Sequence, residues 1–170
     1  MIQKPPELLE KLMTGYEMTS SDLDDLLRDK TPEGLFLEYK DGKELEKPRS
    51  ERNGTIREYL SAFANSAGGI LIIGVDENTW TVTGCPAPGG GDLAEWEKKS
   101  RSNLAEWAAR CVTPIAHHFS PRPRYQTLDH PDGQVLIMVT ERSPNLIPCN
   151  VGGEFVYYLR HHDQTLRNEN

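Results

Sequence analysis

Cysteine is scarce in this sequence of 170 residues, and Cys85, Cys111 and Cys149 lie far apart. They form no C-x-x-C pair and no even-numbered set, which excludes a zinc knuckle and a disulfide framework. The sequence also has no apolar run near the roughly 18 residues that span a bilayer. Charges throughout the opening MIQKPPELLEKL argue against a signal peptide. We therefore expect a cytoplasmic protein without zinc and without membrane contact.

A phosphate-binding glycine loop is also missing. The sequence contains no G-x-x-x-x-G-K-[ST] motif, and Gly68 and Gly69 follow a predicted helix and precede a predicted strand. Nucleotide loops have the opposite order, strand then loop then helix, which aims backbone N–H groups at phosphates. We therefore expect no ATP site and read the two glycines as a helix stop.

Basic residues are outnumbered, with 19 Lys and Arg against 26 Asp and Glu, a net charge of −7. Proteins that coat polyanions without specificity are usually basic, so the global balance argues against one. The segment 98–124 is an exception, with six Lys or Arg and one Glu, a local charge of +5 (six minus one). Its candidate phosphate-binding residues are Lys98, Lys99, Arg101, Arg122 and Arg124. The alternative is a solvated helix face with no ligand.

The length fits a single domain, and the pattern of apolar residues predicts a mixed α/β class. Helices are predicted over 5–14, from Ser20 or Ser21 to Lys30, over 55–67, and over 92–111 as the longest. Strands are predicted over 34–40 and at ILIIGVD, TWTVTG, RPRYQTLDH, QVLIMVTE and EFVYYLRH, with a hairpin turn at Asp132-Gly133. The polar segment 41–54 is predicted as a loop. We expect a helical extension over 1–30 and the main domain over 31–170.

Three carboxylates and a lysine form the candidate catalytic site. Glu38 and Lys40 point to the same side of a predicted strand, and a turn can swing Glu33 back towards them. Asp76 directly follows the buried strand ILIIGV, at the kind of strand end where α/β folds place ligands. If the two strands are neighbours, the carboxylates of Glu33, Glu38 and Asp76 converge on a site suited to Mg²⁺ or Mn²⁺. Lys40 would then neutralise a phosphate oxygen.

Simpler interpretations of the same residues stay open. A Glu at a strand entrance and an Asp after a strand are common in proteins without a metal site. Glu38 and Lys40 could form only a surface ion pair, which contributes little to stability.

The run E-x4-E-Y-K, followed by AFANSAGG-ILIIGVDE and TVTG, resembles the AlbA-like domain of the Schlafen family. The late segment PNLIPCNVGGEFVYYLRHHDQT resembles the closing strand of that domain, with its Tyr-x-Arg at Tyr158 and Arg160. The resemblance covers about residues 31–165 and is that of a single-lobed, prokaryotic-type member. It implies a curved mixed sheet with packed helices.

The resemblance also implies a function. In nuclease members, acidic residues matched here by Glu33, Glu38 and Asp76 are implicated in metal-dependent cleavage of structured RNA such as tRNA, and Lys40 matches a basic position. Arg160 joins the candidate nucleic-acid-binding residues. The chain departs from the family in His161 and His162, where a glycine often follows the Tyr-x-Arg, and from animal Schlafens in having one lobe instead of two.

Three functions therefore remain open. The first is an endoribonuclease that uses Mg²⁺ or Mn²⁺ on RNA, with RNA favoured over DNA. The second is a non-catalytic nucleic-acid-binding or regulatory module, because many prokaryotic members carry the domain beside a helix-turn-helix. The third is a protein-interaction subunit that docks through its acidic N-terminal helices. Because a single lobe offers only a narrow binding surface for a duplex, we also expect a homodimer.

Overall fold

The computed structural model describes residues 7–169. A mixed four-stranded sheet at its centre has the strand order β1-β2-β6-β5. Strands β1 and β2 are parallel, and the other two pairs are antiparallel. The four strands are β1 (Leu37–Lys40), β2 (Gly69–Ile73), β5 (Arg124–His130) and β6 (Gly133–Thr140). The predicted mixed class is confirmed.

Helices cover both faces of this sheet. The four in the core are α1 (Glu7–Met13), α2 (Ser20–Arg28), α3 (Arg49–Ala64) and α5 (Leu104–Ala116). Side chains alternate along β2, so that Leu71 and Ile73 pack with α3 and α5, while Ile70 and Ile72 pack with α1 and α2. Burial on both faces explains why ILII is a continuous apolar run, and the predicted central strand is confirmed.

Two smaller sheets complete the fold. β3 (Val75–Asp76) pairs with β4 (Thr81–Val82), and β7 (Pro148–Val151), β8 (Glu154–His161) and β9 (Gln164–Glu169) form an antiparallel sheet. The third sheet packs against α3 through Cys149 and Val156, which lie in the same core cluster as Phe63. It brings the C-terminal strands beside the edge strand β1.

The long predicted helix over 92–111 is two helices, α4 (Leu93–Ser100) and α5. Arg101 ends α4 in the left-handed conformation, and the Asn103 side chain caps α5 by accepting from the backbone N–H of Glu106 at 2.8 Å. The predicted loop over 41–54 was also partly wrong. Residues Gly42–Glu46 form a 3-10 helix, and α3 begins at Arg49, directly after Pro48 at its N-cap.

The first two predicted helices are confirmed within the described residues, although residues 5 and 6 lie outside them. Thr19, one residue earlier than expected, caps α2: its hydroxyl accepts from the Asp22 N–H, and Asp22 accepts from the Thr19 N–H. The apolar faces of both helices are buried against the sheet at Leu12 and Leu23. These faces are therefore unavailable for docking a partner.

Candidate functional site

Glu38 lies in the middle of β1 with its side chain buried beneath α3 and β8. Its Oε2 accepts from Nη2 of Arg160 at 2.6 Å, and its Oε1 lies 3.4 Å from Nζ of Lys40. The side chains of Glu38 and Arg160 are 5% and 1% exposed, whereas Lys40 is 28% exposed. Both oxygens of Glu38 are thus bound by cations, and its partnership with Lys40 is more than a surface ion pair.

The buried side chain of Arg160 connects the C-terminal sheet to the free edge of β1. Its Nε donates to the Gly34 carbonyl at 2.9 Å and its Nη2 to the Leu37 carbonyl at 3.2 Å. Its Nη1 donates to Oγ1 of Thr165 on β9 at 3.3 Å. The expectation that Arg160 contacts nucleic acid does not fit this environment, because the guanidinium is enclosed and its donors are used within the fold.

Lys40 is held over the ring of Tyr59, with Nζ 4.9 Å from the ring centroid. Burial lowers the pKa of Lys40, but Tyr59 and Glu38 outweigh that effect, so the net pKa is raised. Lys40 is therefore a fixed positive charge at the end of β1. It lies beside Glu38, as the alternation of the strand predicts.

Glu33 folds back along the edge of β1, as predicted, and accepts from the backbone N–H of Tyr39 at 3.1 Å. This contact satisfies an edge-strand donor that β2 cannot reach. Burial, followed by the charges of Glu38 and Glu77, raises the pKa of Glu33 to about 8. Burial and Glu38 also raise the pKa of Glu77, while its hydrogen bond with Glu33 opposes the rise. Three carboxylates therefore meet here: Glu33, Glu38 and Glu77.

Asp76 is placed differently from its neighbour Glu77. Its Oδ1 accepts from the backbone N–H of Asn78 at 2.8 Å, and its side chain lines an open cleft of about 510 Å³ together with Asp41 and Lys43. Asp76 is not among the groups that shift the pKa of Glu33 or Glu77. Sequence reasoning selected Asp76 and missed Glu77. The adjacent pair Asp76-Glu77 was the available signal, since neighbouring side chains on a strand point to opposite faces.

A divalent metal does not fit the acidic residues as they stand. Within residues 7–169, no group of three or more Asp, Glu, His or Cys side chains is arranged to hold a metal ion. Glu38 already has two cationic partners, and Asp76 faces a separate cleft. The arrangement instead leaves the half-buried carboxyl of Glu33 close enough to Glu38 and Glu77 for their charges to raise its pKa.

Most of the predicted basic residues are exposed. Lys98 and Lys99 occupy the last turn of α4, a helix with no buried residue, and Arg101 and Arg122 are also exposed. Among the described residues, none of these four side chains forms an ion pair. Arg124 differs, because its half-buried guanidinium donates to the Leu12 carbonyl and ties β5 to α1. We therefore regard Arg124 as a structural residue.

The outer face of the third sheet is apolar and open. Leu159 pairs with Leu166 across β8 and β9, and Phe155 lies on the same face of β8. Phe155 is 64% exposed and Leu166 is 47% exposed, and Leu146, just before β7, is 58% exposed. Exposed apolar groups concentrated in this way commonly mark an interaction surface.

The fold and the site define a mixed α/β lobe whose edge strand carries a buried acid–base network. A family model described as Schlafen, AlbA_2 matches residues 33–168, which is most of the chain, and the chain belongs to that family. The match begins at Glu33 and ends within the last strand, β9. Helices α1 and α2 precede it.

Two solved structures are similar to this chain at low identity. The DIP2311 protein from Corynebacterium diphtheriae has a TM-score of 0.48 and 14% identity, over 78% of this chain and 22% of that one. The N-terminal domain of a RecG-related protein from Nitrosomonas europaea has a TM-score of 0.49 and 19% identity, over 85% of this chain and 89% of that domain. The chain thus spans about a fifth of the first. Every helix found within 7–169 is too short or too polar to cross a bilayer.

Proposed function

We propose that this protein is a nucleic-acid-binding domain that contacts phosphates through exposed basic side chains of the segment 98–122. The observation that carries the proposal is the set of exposed cations without ion-pair partners in the described part of the chain: Lys98, Lys99, Arg101 and Arg122. A cation without a carboxylate partner is available to a phosphate and releases counterions when it binds one. RNA is the favoured polymer, as the family resemblance implies.

The net charge of −7 restricts the orientations in which this protein can bind a nucleic acid. An acidic molecule repels a polyanion over most of its surface, so productive encounters require the basic segment to face the ligand. We therefore expect binding of moderate affinity that weakens strongly as salt rises.

Fluorescence anisotropy with a labelled RNA hairpin and a labelled single strand tests the proposal. The parent should bind both polymers, and the double variant Lys98→Gln/Lys99→Gln should bind about tenfold more weakly, with a salt slope smaller by about 2. The matched control is Lys11→Gln/Arg28→Gln, which removes two charges from α1 and α2 and should bind like the parent. A parent that shows no salt-dependent binding to either polymer would contradict the proposal.

Metal-dependent RNA cleavage is a second candidate function. It is favoured by the meeting of Glu33, Glu38 and Glu77 beside the fixed charge of Lys40. Because these side chains do not form a metal site as they stand, we assign no chemical step to Mg²⁺ or Mn²⁺. The candidate catalytic acids remain Glu33, Glu38 and Asp76, with Glu77 added.

Incubation of the protein with tRNA and with DNA, in Mn²⁺ or in EDTA, tests this candidate. Cleavage in Mn²⁺ that is lost in EDTA and in Glu33→Gln, but kept in the exposed control Glu154→Gln, would support a nuclease. Asp76→Ala and Glu77→Gln then show which acid takes part. Glu38→Gln is a poor probe alone, because it also removes the partner of Arg160. No cleavage by the folded parent would exclude the candidate under those conditions.

A homodimer is supported by the exposed apolar face of the third sheet. A second copy of the chain would cover Phe155 and Leu166, which are costly to leave in water. Light scattering should give twice 19.2 kDa for the parent. The double variant Phe155→Ser/Leu166→Ser should give the monomer mass. A parent that stays monomeric at working concentration would contradict the expectation.

A further inference from the structure

A cluster of four arginines lies where α3 packs against α5, outside the residues discussed so far. Arg49 and Arg52 lie one turn apart on α3, Arg57 follows five residues after Arg52, and Arg110 comes from α5. Hydrogen bonds across the helix pair fix the arrangement. Nε of Arg57 donates to the Cys111 carbonyl at 2.7 Å, and the Cys111 thiol donates to Oδ1 of Asn53 at 3.3 Å.

Two of the other three guanidinium groups are also held in place by single hydrogen bonds, whereas Arg49 is exposed at the first residue of α3. Nη1 of Arg52 donates to the Lys47 carbonyl at 2.9 Å, and Nη1 of Arg110 donates to Oγ of Ser102 at 2.9 Å. Each guanidinium has five N–H donors, so most donors have no acceptor inside the fold. Nε of Arg52 is buried and has no hydrogen-bond partner among the described residues. The guanidinium groups of Arg52, Arg57 and Arg110 are thus positioned but not neutralised.

The four positive charges all lower the pKa of the same group, the thiol of Cys111. Burial raises the pKa of the Cys111 thiol to about 11, while Arg57, Arg52, Arg110 and Arg49 all oppose the rise. In the part of the chain that the structure describes, none of the four forms an ion pair with Asp or Glu. Like charges on one helix face are unfavourable, and more so near the positive N-terminal end of a helix. A ligand with several negative charges would relieve that repulsion.

A groove of about 370 Å³ adjoins this cluster between α3 and the third sheet. Arg57 belongs to both, and the groove also presents the ring of Tyr158 and the hydroxyls of Ser50 and Thr55. Glu51 and Glu58 line it as well, so a phosphate or an acidic side chain is disfavoured inside it. An unpaired base is compatible, because it stacks on an aromatic ring and offers amino groups to carboxylates.

We infer that a single strand of nucleic acid crosses α3 and α5, with its phosphates on Arg49, Arg52, Arg57 and Arg110 and a base in the adjoining groove. Guanidinium groups suit this task because their planar fork matches two phosphate oxygens. The inference rests on the proposed nucleic-acid-binding function and adds a second contact surface to it. Arg110 links the two surfaces, since its partner Ser102 directly follows Arg101.

Anisotropy titrations with a labelled 12-nucleotide RNA strand test the inference. Arg49 and Arg110 are both exposed, so Arg49→Gln/Arg110→Gln should fold and should bind about tenfold more weakly, with a salt slope smaller by roughly 1 to 2. Arg49→Lys/Arg110→Lys keeps the charge and should retain most of the salt slope. The matched control is again Lys11→Gln/Arg28→Gln. The parent should bind the strand more tightly than an RNA duplex of equal length or a strand of abasic sites.

The outcomes separate this inference from the proposed function. If the parent binds RNA and Arg49→Gln/Arg110→Gln binds as the control does, the arginine surface is wrong, and the function depends on Lys98, Lys99, Arg101 and Arg122 alone. If the parent binds no RNA, this inference and the proposed nucleic-acid-binding function are both contradicted. If the abasic strand binds as tightly as the RNA strand, no base occupies the groove. If polyglutamate at equal charge competes with the RNA, the arginine surface is a docking site for a protein instead. Hydrogen exchange of the parent should show RNA-dependent protection over 49–57, and its absence would also overturn the inference.

Discussion

Arg160 on β8 donates to Glu38 on β1 at 2.6 Å, and both side chains are almost completely buried. The two residues are 122 positions apart in the chain. Their contact joins the edge of the central sheet to the C-terminal sheet, and Lys40 completes the charge balance on Glu38. Because buried charges are costly without partners, the stability of the fold depends on all three residues together.

Glu38→Gln should lower the free energy of unfolding by about 3–5 kcal/mol, because it leaves the buried Arg160 without an anion. Urea unfolding followed by circular dichroism measures the loss. Glu154→Gln, at the exposed first residue of β8, should change stability by less than about 0.5 kcal/mol.

Replacement of both partners by apolar residues, Glu38→Leu/Arg160→Met, should cost less than the sum of the single changes, since neither charge is then orphaned. A loss below about 1 kcal/mol for Glu38→Gln would show that solvent or the carbonyls of Gly34 and Leu37 compensate Arg160 for the missing carboxylate.

The same pair shows where sequence reasoning stopped. Periodicity is local, so it found β2 from the apolar run and placed Glu38 and Lys40 on one side of β1. No local pattern reports a partner more than a hundred residues away, so Arg160 was expected to bind nucleic acid and its contact with Glu38 was not predicted. Its burial follows from the docking of the third sheet, which depends on long-range packing.

Other helices and strands that the sequence analysis did not predict correctly had local signals, but stronger patterns in the sequence outweighed them. Asn103 with Glu106 three residues later is the pattern of a helix start, yet the apolar spacing of 92–111 favoured one continuous helix. Gly54 suggested a loop, although α3 carries it in its interior. β7 has four residues and begins with a proline, and β9 is largely polar, so neither β propensity nor alternation identified them.

The raised pKa of Glu33 predicts a pH-dependent stability. Burial and Glu38 hold the folded-state pKa near 8, above the value of 4.5 for a free glutamate. Between these values the folded state keeps a proton that the unfolded state releases, so this group makes stability fall as pH rises from about 4.5 to about 8. Glu33→Gln cannot ionise and should remove that slope, with a gain on the order of 1 kcal/mol at pH 8 after discounting for solvent screening.

Urea midpoints measured at several pH values between 4.5 and 9 would check this slope for the parent, Glu33→Gln and the control Glu154→Gln. The control should keep the slope of the parent. Identical slopes in the parent and Glu33→Gln would show that Glu33 ionises normally in the fold.

Two glycines provide a matched pair with opposite expected effects. A Cβ on Gly42 would lie 1.9 Å from the Gly84 carbonyl oxygen, a backbone atom that cannot rotate away. Gly42→Ala should therefore destabilise the fold by about 1–3 kcal/mol through forced displacement of the backbone. Gly54 lies inside α3 with nothing within 4 Å of its Cβ position, and Gly54→Ala should stabilise by about 0.5–1 kcal/mol.

Thermal melting of both variants beside the parent gives the comparison directly. An unchanged midpoint for Gly42→Ala would mean that the Gly84 turn can move away at little cost. A lowered midpoint for Gly54→Ala would indicate strain in the first half of α3 that the open space does not reveal.

The N-terminal helices should behave as part of the main core, although the family match begins only at Glu33. Leu23 of α2 is fully buried in the cluster that contains Tyr39 of β1 and Ile72 of β2. Leu23→Ala should therefore cost about 2–5 kcal/mol, as expected for a large cavity in a packed core. Glu10→Ala, at an exposed position of α1, should cost less than about 0.5 kcal/mol.

Two tryptophans allow this coupling to be followed. Trp107 lies in the core on the α5 side of the sheet, and Trp80 packs on the α2 side with its ring 5.9 Å from that of Tyr39. In Leu23→Ala, fluorescence and circular dichroism should report one shared unfolding transition at a lower urea concentration, because the two cores pack on opposite faces of the same sheet. An early transition confined to the Trp80 side would show instead that α1 and α2 are a separable layer.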